Sequence, residues 1–312
     1  MIPHVYLENT LRLSVFINSY NYEEFIGQAL DSVFAQTLAA DEVVIVDDGS
    51  TDGSCDVIQG YADRYPQIKF IRKENGGQLS SFNAGIKAVT GDLVFFLDSD
   101  DAWKPEYLER VAEVYRSQRT DFVFCALQNF GVDQGLRQTY KKSMDIGFTA
   151  ALTYFMKVYI GGQTSSLSVR RSVLDKIYPV PFENDWRVSA DFSLVAGVSL
   201  AGARKYFYAE PLVYYRMHQI NAHKTEKQKS EYQYKMAYHR NAMINYFIDK
   251  FSLTEATCSL LVDLEISTRN DPMTLKLFSR YQRTIFLAKR NFFWKIFMTG
   301  KLLWKNLKLS FI

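Results

Sequence analysis

Cysteine is scarce in this sequence. The three present, Cys55, Cys125 and Cys258, stand far apart, and none falls in a CxxC spacing. A disulfide framework or a zinc knuckle is therefore not expected, and a reducing compartment fits better. The N-terminal stretch Met1 to Tyr6 lacks a basic segment followed by an apolar one, so no secretory signal is expected. The aromatic-rich end of the chain lacks a run of the roughly 20 apolar residues that a spanning helix needs. Charges break every apolar stretch from Tyr281 to Ile312. A phosphate-binding loop of a familiar kind is missing too. Asn75-Gly76-Gly77-Gln78 has the spacing of neither a P-loop nor a dinucleotide fingerprint, which counts against ATP and NAD enzymes of those types. The most uneven absence is of acid. From Pro272 to Ile312 there is no Asp or Glu against nine Lys and Arg, whereas the rest of the chain carries 28 basic and 34 acidic residues. A segment so biased suits an anionic surface.

What is present suffices for a large core. Of 312 residues, 47% are hydrophobic, enough for one large or two modest domains. Apolar runs at 11–17, 43–46, 68–71, 93–97 and 122–127 read as strands. Between them come helical patterns, such as Phe25, Ile26, Ala29, Leu30, Val33 and Phe34, or Leu108, Val111, Ala112 and Tyr115. Strand alternating with helix predicts an α/β fold with a mostly parallel sheet covered on both faces. From about Gln128 to Asn221 the rhythm is less regular, and beyond Asn221 the pattern is helical. No internal repeat or low-complexity segment is visible.

In parallel sheets, ligands bind at the carboxyl ends of strands. Polar clusters follow Ile17, Val46 and Leu97. Asp98-Ser99-Asp100-Asp101 sets three carboxylates within four residues. Such groups repel one another, and a hard divalent cation relieves the repulsion. Helix capping is the bland reading, and it accounts for one carboxylate rather than three. Asp47-Asp48-Gly49-Ser50 reads as a turn with a cap, or as a carboxylate placed to accept from a base or ribose. Asn18-Ser19-Tyr20-Asn21 is a plain strand-to-helix turn, or a place for Tyr20 to stack on a base that Asn18 bonds.

Taken in order, these segments resemble glycosyltransferase family 2, which has the GT-A fold: a Rossmann-like, mostly parallel sheet flanked by helices, here with a helical C-terminal extension. The resemblance rests on Ser14 to Asn21, Val46 to Asp52, Asn75 to Gln78 with Phe82-Asn83-Ala84-Gly85, and Phe96 to Asp101. It implies a catalytic domain over residues 1–221, with a nucleotide-sugar half at about 10–104 and an acceptor half at 105–221. Residues 222–312 then form a basic, aromatic helical region. It implies inverting transfer from a nucleotide-diphosphate sugar, a UDP-sugar being favoured, to a glycan or lipid-linked acceptor, with Mn²⁺ or Mg²⁺. Asn18 and Tyr20 would line the base pocket, and Asp48 would bond the base. Gln78 and Asn83 would border the donor, Asp98 would face ribose or sugar, and Asp100 would ligate the metal. Many relatives carry Arg immediately before the position of Asn83, where this chain has Phe82. Ser189-Ala190-Asp191 matches the family's Glu-Asp pair with Ala190 in place of Glu, which leaves Asp191 as the base and Asp185 as its rival. Tyr215-Arg216-Met217-His218 fits the family's Tyr-Arg-x-His run, with Arg216 at the phosphates and His218 at the metal or the diphosphate.

The tail interleaves aromatics with lysines, as in Phe292-Phe293-Trp294-Lys295 and Leu302-Leu303-Trp304-Lys305. It is expected to lie on an anionic membrane at the cytoplasmic face rather than on nucleic acid, the alternative being a helix packed on the catalytic domain or on a partner. A nucleotidyltransferase and a non-catalytic sugar-binding scaffold are the competing functions. The first should show a Gly-rich basic loop after the first strand, and Asn18 to Asn21 is not one.

Overall fold

The structure is a computed structural model that describes residues 11–217 and 230–310. Its first half is the alternation the sequence predicts. Strands β1 (Leu13–Ser19), β2 (Glu42–Asp47), β3 (Ile68–Arg72) and β4 (Leu93–Asp98) are separated by helices α1 (Glu23–Phe34), α2 (Ser54–Ala62) and α3 (Gln78–Ala88). All their pairings are parallel, in the order β3-β2-β1-β4. The chain therefore builds outward from β1 on one side, then returns to add β4 on the other. That reversal opens a crevice at the carboxyl ends of β1 and β4.

Beyond β4 the sheet is mixed rather than mostly parallel. It continues through β9 (Leu167–Arg170), β6 (Phe122–Gly131), β10 (Lys205–Met217) and β5 (Ala102–Trp103). The expected fifth strand, β6, does not lie beside β4. The four-residue β9 sits between them, antiparallel to both, while β10 pairs parallel with β6. Two short strands, β7 (Gly135–Arg137) and β8 (Met144–Gly147), pair antiparallel with β6 and β10. Helices α4 (Tyr107–Ser117), α5 (Ala150–Met156), α6 (Arg171–Ile177) and α7 (Asp191–Leu200) complete this half.

The strand period of two splits the core into layers. On β1, Leu13, Val15 and Ile17 face one layer with α1 and α4, and Phe16 faces the other. On β4, Leu93, Phe95 and Leu97 go with the first set, and Val94 and Phe96 with the second. The second layer runs on into the C-terminal helices α8 (Ser230–Lys250), α9 (Glu255–Ser267), α10 (Leu275–Leu287) and α11 (Phe292–Ser310). Val262, Ile266, Leu277, Tyr281, Ile285, Met298 and Leu302 are buried in it. Thr254 and Thr274 cap α9 and α10 by accepting from the backbone N–H of Thr257 and Leu277. Among the described residues, no helix is long and apolar enough to cross a membrane.

Candidate active site

Parallel register aligns Asn18 at the end of β1 with Asp98 at the end of β4. Asn18 Nδ2 donates to Asp98 Oδ1 at 2.8 Å, and Gln78 Nε2 donates to the same oxygen at 3.2 Å. Gln78 opens α3, and its Oε1 accepts from the backbone N–H of Ala190 at 2.9 Å. One amide thus ties Asp98 to the start of α7, whose first residue is Asp191. The sequence separates these groups by about a hundred residues, and the fold makes them neighbours.

The acidic run is held tightly. The Asp98 N–H donates to Ser165 Oγ at 3.0 Å, and that hydroxyl donates to Asp101 Oδ2 at 2.6 Å. Asp101 Oδ1 accepts from the backbone N–H of Arg216 at 2.8 Å. Burial, then the charge of Asp100, pushes the Asp98 carboxyl up to about 7; Asp191 adds to the rise and the bond from Asn18 opposes it. Burial, Asp100 and Asp98 push Asp101 well above the usual carboxylate range. The site thus gathers more negative charge than its solvation supports.

Two phenols close on this cluster: Tyr22, which no sequence motif singles out, and Tyr215, which opens the Tyr-Arg-x-His run but has no role assigned there. Burial and the Asp98–Asp101 carboxylates raise the hydroxyls of Tyr22 and Tyr215, so both stay protonated. Arg216 Nε donates to the Asp100 carbonyl at 2.7 Å, and its guanidinium also bonds Gln28. It lies between the rings of Phe25 and Phe130, at 4.6 and 4.3 Å. The tip of β10 thereby brings a cation to the edge of the acidic run.

Asp191 has a partner of its own. Tyr159 Oη lies 2.9 Å from Asp191 Oδ2 and 2.5 Å from the Gly162 carbonyl oxygen. The Tyr159 ring stacks on Phe192, which stacks on Trp186 at 5.2 Å. Asp185, by contrast, faces His239 of α8 at 3.7 Å. Asp191 is among the charges that raise Asp98.

Other expected residues are placed differently. Tyr20 is 46% exposed at the crevice end of β1. Asp48 is buried and has its oxygens engaged within the chain: they accept from Gly76 N at 2.9 Å, Gly77 N at 2.6 Å and Lys73 Nζ at 2.5 Å. Asp48 thus clamps the loop that precedes α3. Asn83 bonds the backbone of Val180 through both ends of its amide, and donates to Glu183 at 2.6 Å. It fixes the loop before Asp185 and Trp186. Phe82, where many relatives carry Arg, is fully buried between Phe16 and Phe96, with ring centroids at 5.3 and 5.6 Å. His218 lies outside the described residues. Among the described residues, no group of three or more His, Cys, Asp or Glu side chains forms a metal cage.

Against known proteins, residues 14–178 match the model of glycosyl transferase family 2. An uncharacterised glycosyltransferase of Nostoc sp. is 37% identical over 248 residues, which is 77% of this chain and 76% of that protein. Among solved structures, Staphylococcus aureus TarS 1–349 in complex with UDP-GlcNAc superimposes with a TM-score of 0.60 at 20% identity, covering 96% of this chain and 90% of that one. A mannosyltransferase from Pyrobaculum calidifontis, in complex with GDP-Man and Mn²⁺, gives 0.52 at 16% identity over 96% and 87%. These likenesses establish the fold as GT-A.

Proposed function

The chain belongs to glycosyl transferase family 2, and on that footing we propose that it catalyses inverting, metal-dependent transfer of a sugar from a nucleotide-diphosphate donor to an acceptor hydroxyl. The observation that carries this is the bridge from Asp98 through Gln78 to the start of α7, which sets a charge-loaded strand end beside a second carboxylate. Asp191 accepts the proton of the acceptor hydroxyl while its oxygen bonds the anomeric carbon. The bond from that carbon to the diphosphate breaks, and the nucleotide leaves with the negative charge. Tyr159 holds the carboxylate of Asp191, and Arg216 stands toward the leaving phosphates. Tyr20 offers a ring for the base, and Asn18 and Gln78 hold Asp98 toward ribose and sugar. Asp48 and Asn83 shape the donor site through the loops they clamp.

A divalent cation fits these donors. Carboxylate oxygens crowded at a buried strand end and raised toward protonation suit Mn²⁺ or Mg²⁺. Asp100 would hold it together with diphosphate oxygens and His218, and it would supply charge for the departing diphosphate. Ions of this kind are commonly held by one or two carboxylates and substrate phosphates, so a full protein cage is not required.

We favour a UDP-sugar, in keeping with the UDP-GlcNAc complex of TarS. The acceptor is a growing surface polysaccharide or a lipid-linked glycan, met at the inner face of the cell membrane. Chondroitin synthase of Escherichia coli, 33% identical over 104 residues, is a relative named for polysaccharide synthesis. Residues 1–221 act as the catalytic unit, with donor and acceptor halves meeting near 104, and 222–312 form the helical region. The test is nucleoside diphosphate release from UDP-, GDP- and dTDP-sugars with Mn²⁺ and candidate glycan acceptors. Asp100→Ala should abolish metal-dependent nucleotide binding. Absence of both binding and release with every donor would overturn the reading.

A further inference from the structure

The helix α11 is apolar on two opposite sides. Met298 and Leu302 are buried in the core, with Trp294 packed partly against it. At 3.6 residues per turn, Phe292, Phe293, Ile296, Phe297, Leu303, Trp304 and Leu307 fall within roughly 140° of arc on the other side. All seven are exposed, Phe293 at 81% and Trp304 at 62%. A globular helix normally turns its second face polar. This one keeps large apolar groups where no part of the described chain covers them. Gly300 lies in the middle of the stripe, and a Cβ added there would meet nothing within 4 Å.

Cations border that face. Lys308 lies on one side of the stripe, with its Nζ over the Trp304 ring at 5.3 Å, and Lys295 lies on the other. Lys276, Arg283, Lys289 and Arg290 are exposed on α10 and the link that follows it. Two of the nine basic groups pair with acids of α9: Lys289 with Glu255 at 3.1 Å, and Lys301 with Asp263. No acid lies between 272 and 312. A second copy of the chain docked by twofold symmetry would set this cationic border against itself. An anionic partner meets it with the opposite charge.

We propose that the outer side of α11, with the cations of α10 and α11 around it, docks on an anionic lipid surface. The inference rests on the proposed function in one respect: α5 packs against α10 and α7, so the docked face is joined to the helix that Asp191 opens. Docking would hold that side of the site near acceptors carried on lipid. The apolar stripe sinks into the headgroup–acyl boundary while the lysines and arginines meet phosphate. Between the end of α5 and α10, a recess of about 340 Å³ walled by Met156, Phe286 and Leu287, with Arg283 among its lining residues, extends the apolar relief.

The experiment is co-sedimentation of the full chain with vesicles of phosphatidylglycerol and phosphatidylcholine, against phosphatidylcholine alone. Binding to the anionic vesicles should be stronger by about tenfold or more and should weaken at high salt. Gly300→Glu and Phe297→Glu should each lower it by about tenfold while UDP binding with Mn²⁺ and the melting temperature are kept. If Phe297→Glu unfolds, Gly300→Glu still decides, because its side chain enters open space. Binding that is absent, equal on both vesicles or unchanged in Gly300→Glu overturns the proposal. A concentration-dependent dimer that Gly300→Glu dissolves, with no vesicle binding, also overturns it and makes a second copy the occupant. Failure of the wild-type chain to bind UDP would count against the UDP preference and leave the docking proposal standing.

Discussion

The proton on Tyr159 has two acceptors within reach and can serve one fully. When Asp191 is ionised, the phenol donates to the carboxylate at 2.9 Å. When Asp191 holds a proton, it can donate to the phenol oxygen, which then turns its own hydrogen to the Gly162 carbonyl at 2.5 Å. Tyr159 can thus follow the charge of the proposed base through one turnover. Asp191→Asn should lower kcat by about 10²–10⁴-fold, the usual worth of a general base, without weakening donor binding. Tyr159→Phe should lower kcat by about tenfold, the equivalent of one lost bond of roughly 1.4 kcal/mol. Steady-state kinetics beside calorimetric UDP binding separates these from a folding defect. Asp98 and Asp191 are legible in the sequence because their residue types sit in motifs. Tyr159 and Tyr22 are not, since the chain holds 20 tyrosines and spacing marks neither of these as special.

At the scale of elements, β1 to β4 and their helices announce themselves by period. Each strand is a short apolar run ending in a polar cluster, and each helix has one apolar face. β9 and β10 do not. β9 has four residues, too few for a pattern. β10 contains Pro211, and its register against β6 shifts on either side of it. Motif position also leaves side-chain partners undetermined. Asp48 and Asn83 lie where donor contacts are expected, and their polar atoms hold loops beside that place. Gly77, whose amide binds Asp48, has φ near +88°, and a Cβ there would come within 2.5 Å of Arg187 Cα. The loop and the 186–187 segment can approach so closely because that position is glycine. The same packing explains Phe82. Introducing the arginine many relatives carry, Phe82→Arg, should cost about 3–5 kcal/mol, the scale of losing a buried aromatic, because the guanidinium would lie between Phe16 and Phe96. Urea denaturation measures it, and an unchanged midpoint would show that the sheet opens there to admit the charge.

Across the whole molecule, the C-terminal helices share the core of the sheet. Glu265 of α9 is buried, accepts from the N–H of Ala151 at the start of α5, and accepts from Tyr281 Oη of α10 at 2.9 Å. Arg269 beside it donates to the carbonyls of Asp145 and Ile146. Burial pushes the Glu265 carboxyl from an ordinary 4.5 up to about 8. In that window the folded chain keeps a proton that the unfolded chain has released. The contribution is full below pH 4.5 and is lost as pH rises through 8. Lys205 acts in the opposite sense above about 7, where burial has driven its pKa down. Melting temperatures compared between pH 5 and 7 should therefore fall with rising pH in the wild type and fall less steeply in Glu265→Gln, where the raised Asp98 and Asp101 still contribute in the same sense. Equal slopes would place the proton elsewhere.

The sequence by itself determined the α/β class, the parallel first half, the family and the residue types of the site. Those follow from local period and from polar clusters at strand ends, which neighbouring residues encode. It also determined that the tail is basic and aromatic. Tertiary structure decided that β1 and β4 face each other across the point where strand order reverses, so that Asn18, Gln78, Asp98 and Asp191 converge. It decided that Asp48 clamps a loop and that α11 buries one apolar side while exposing another. These depend on which distant segments pack together, and a one-dimensional pattern does not carry that information.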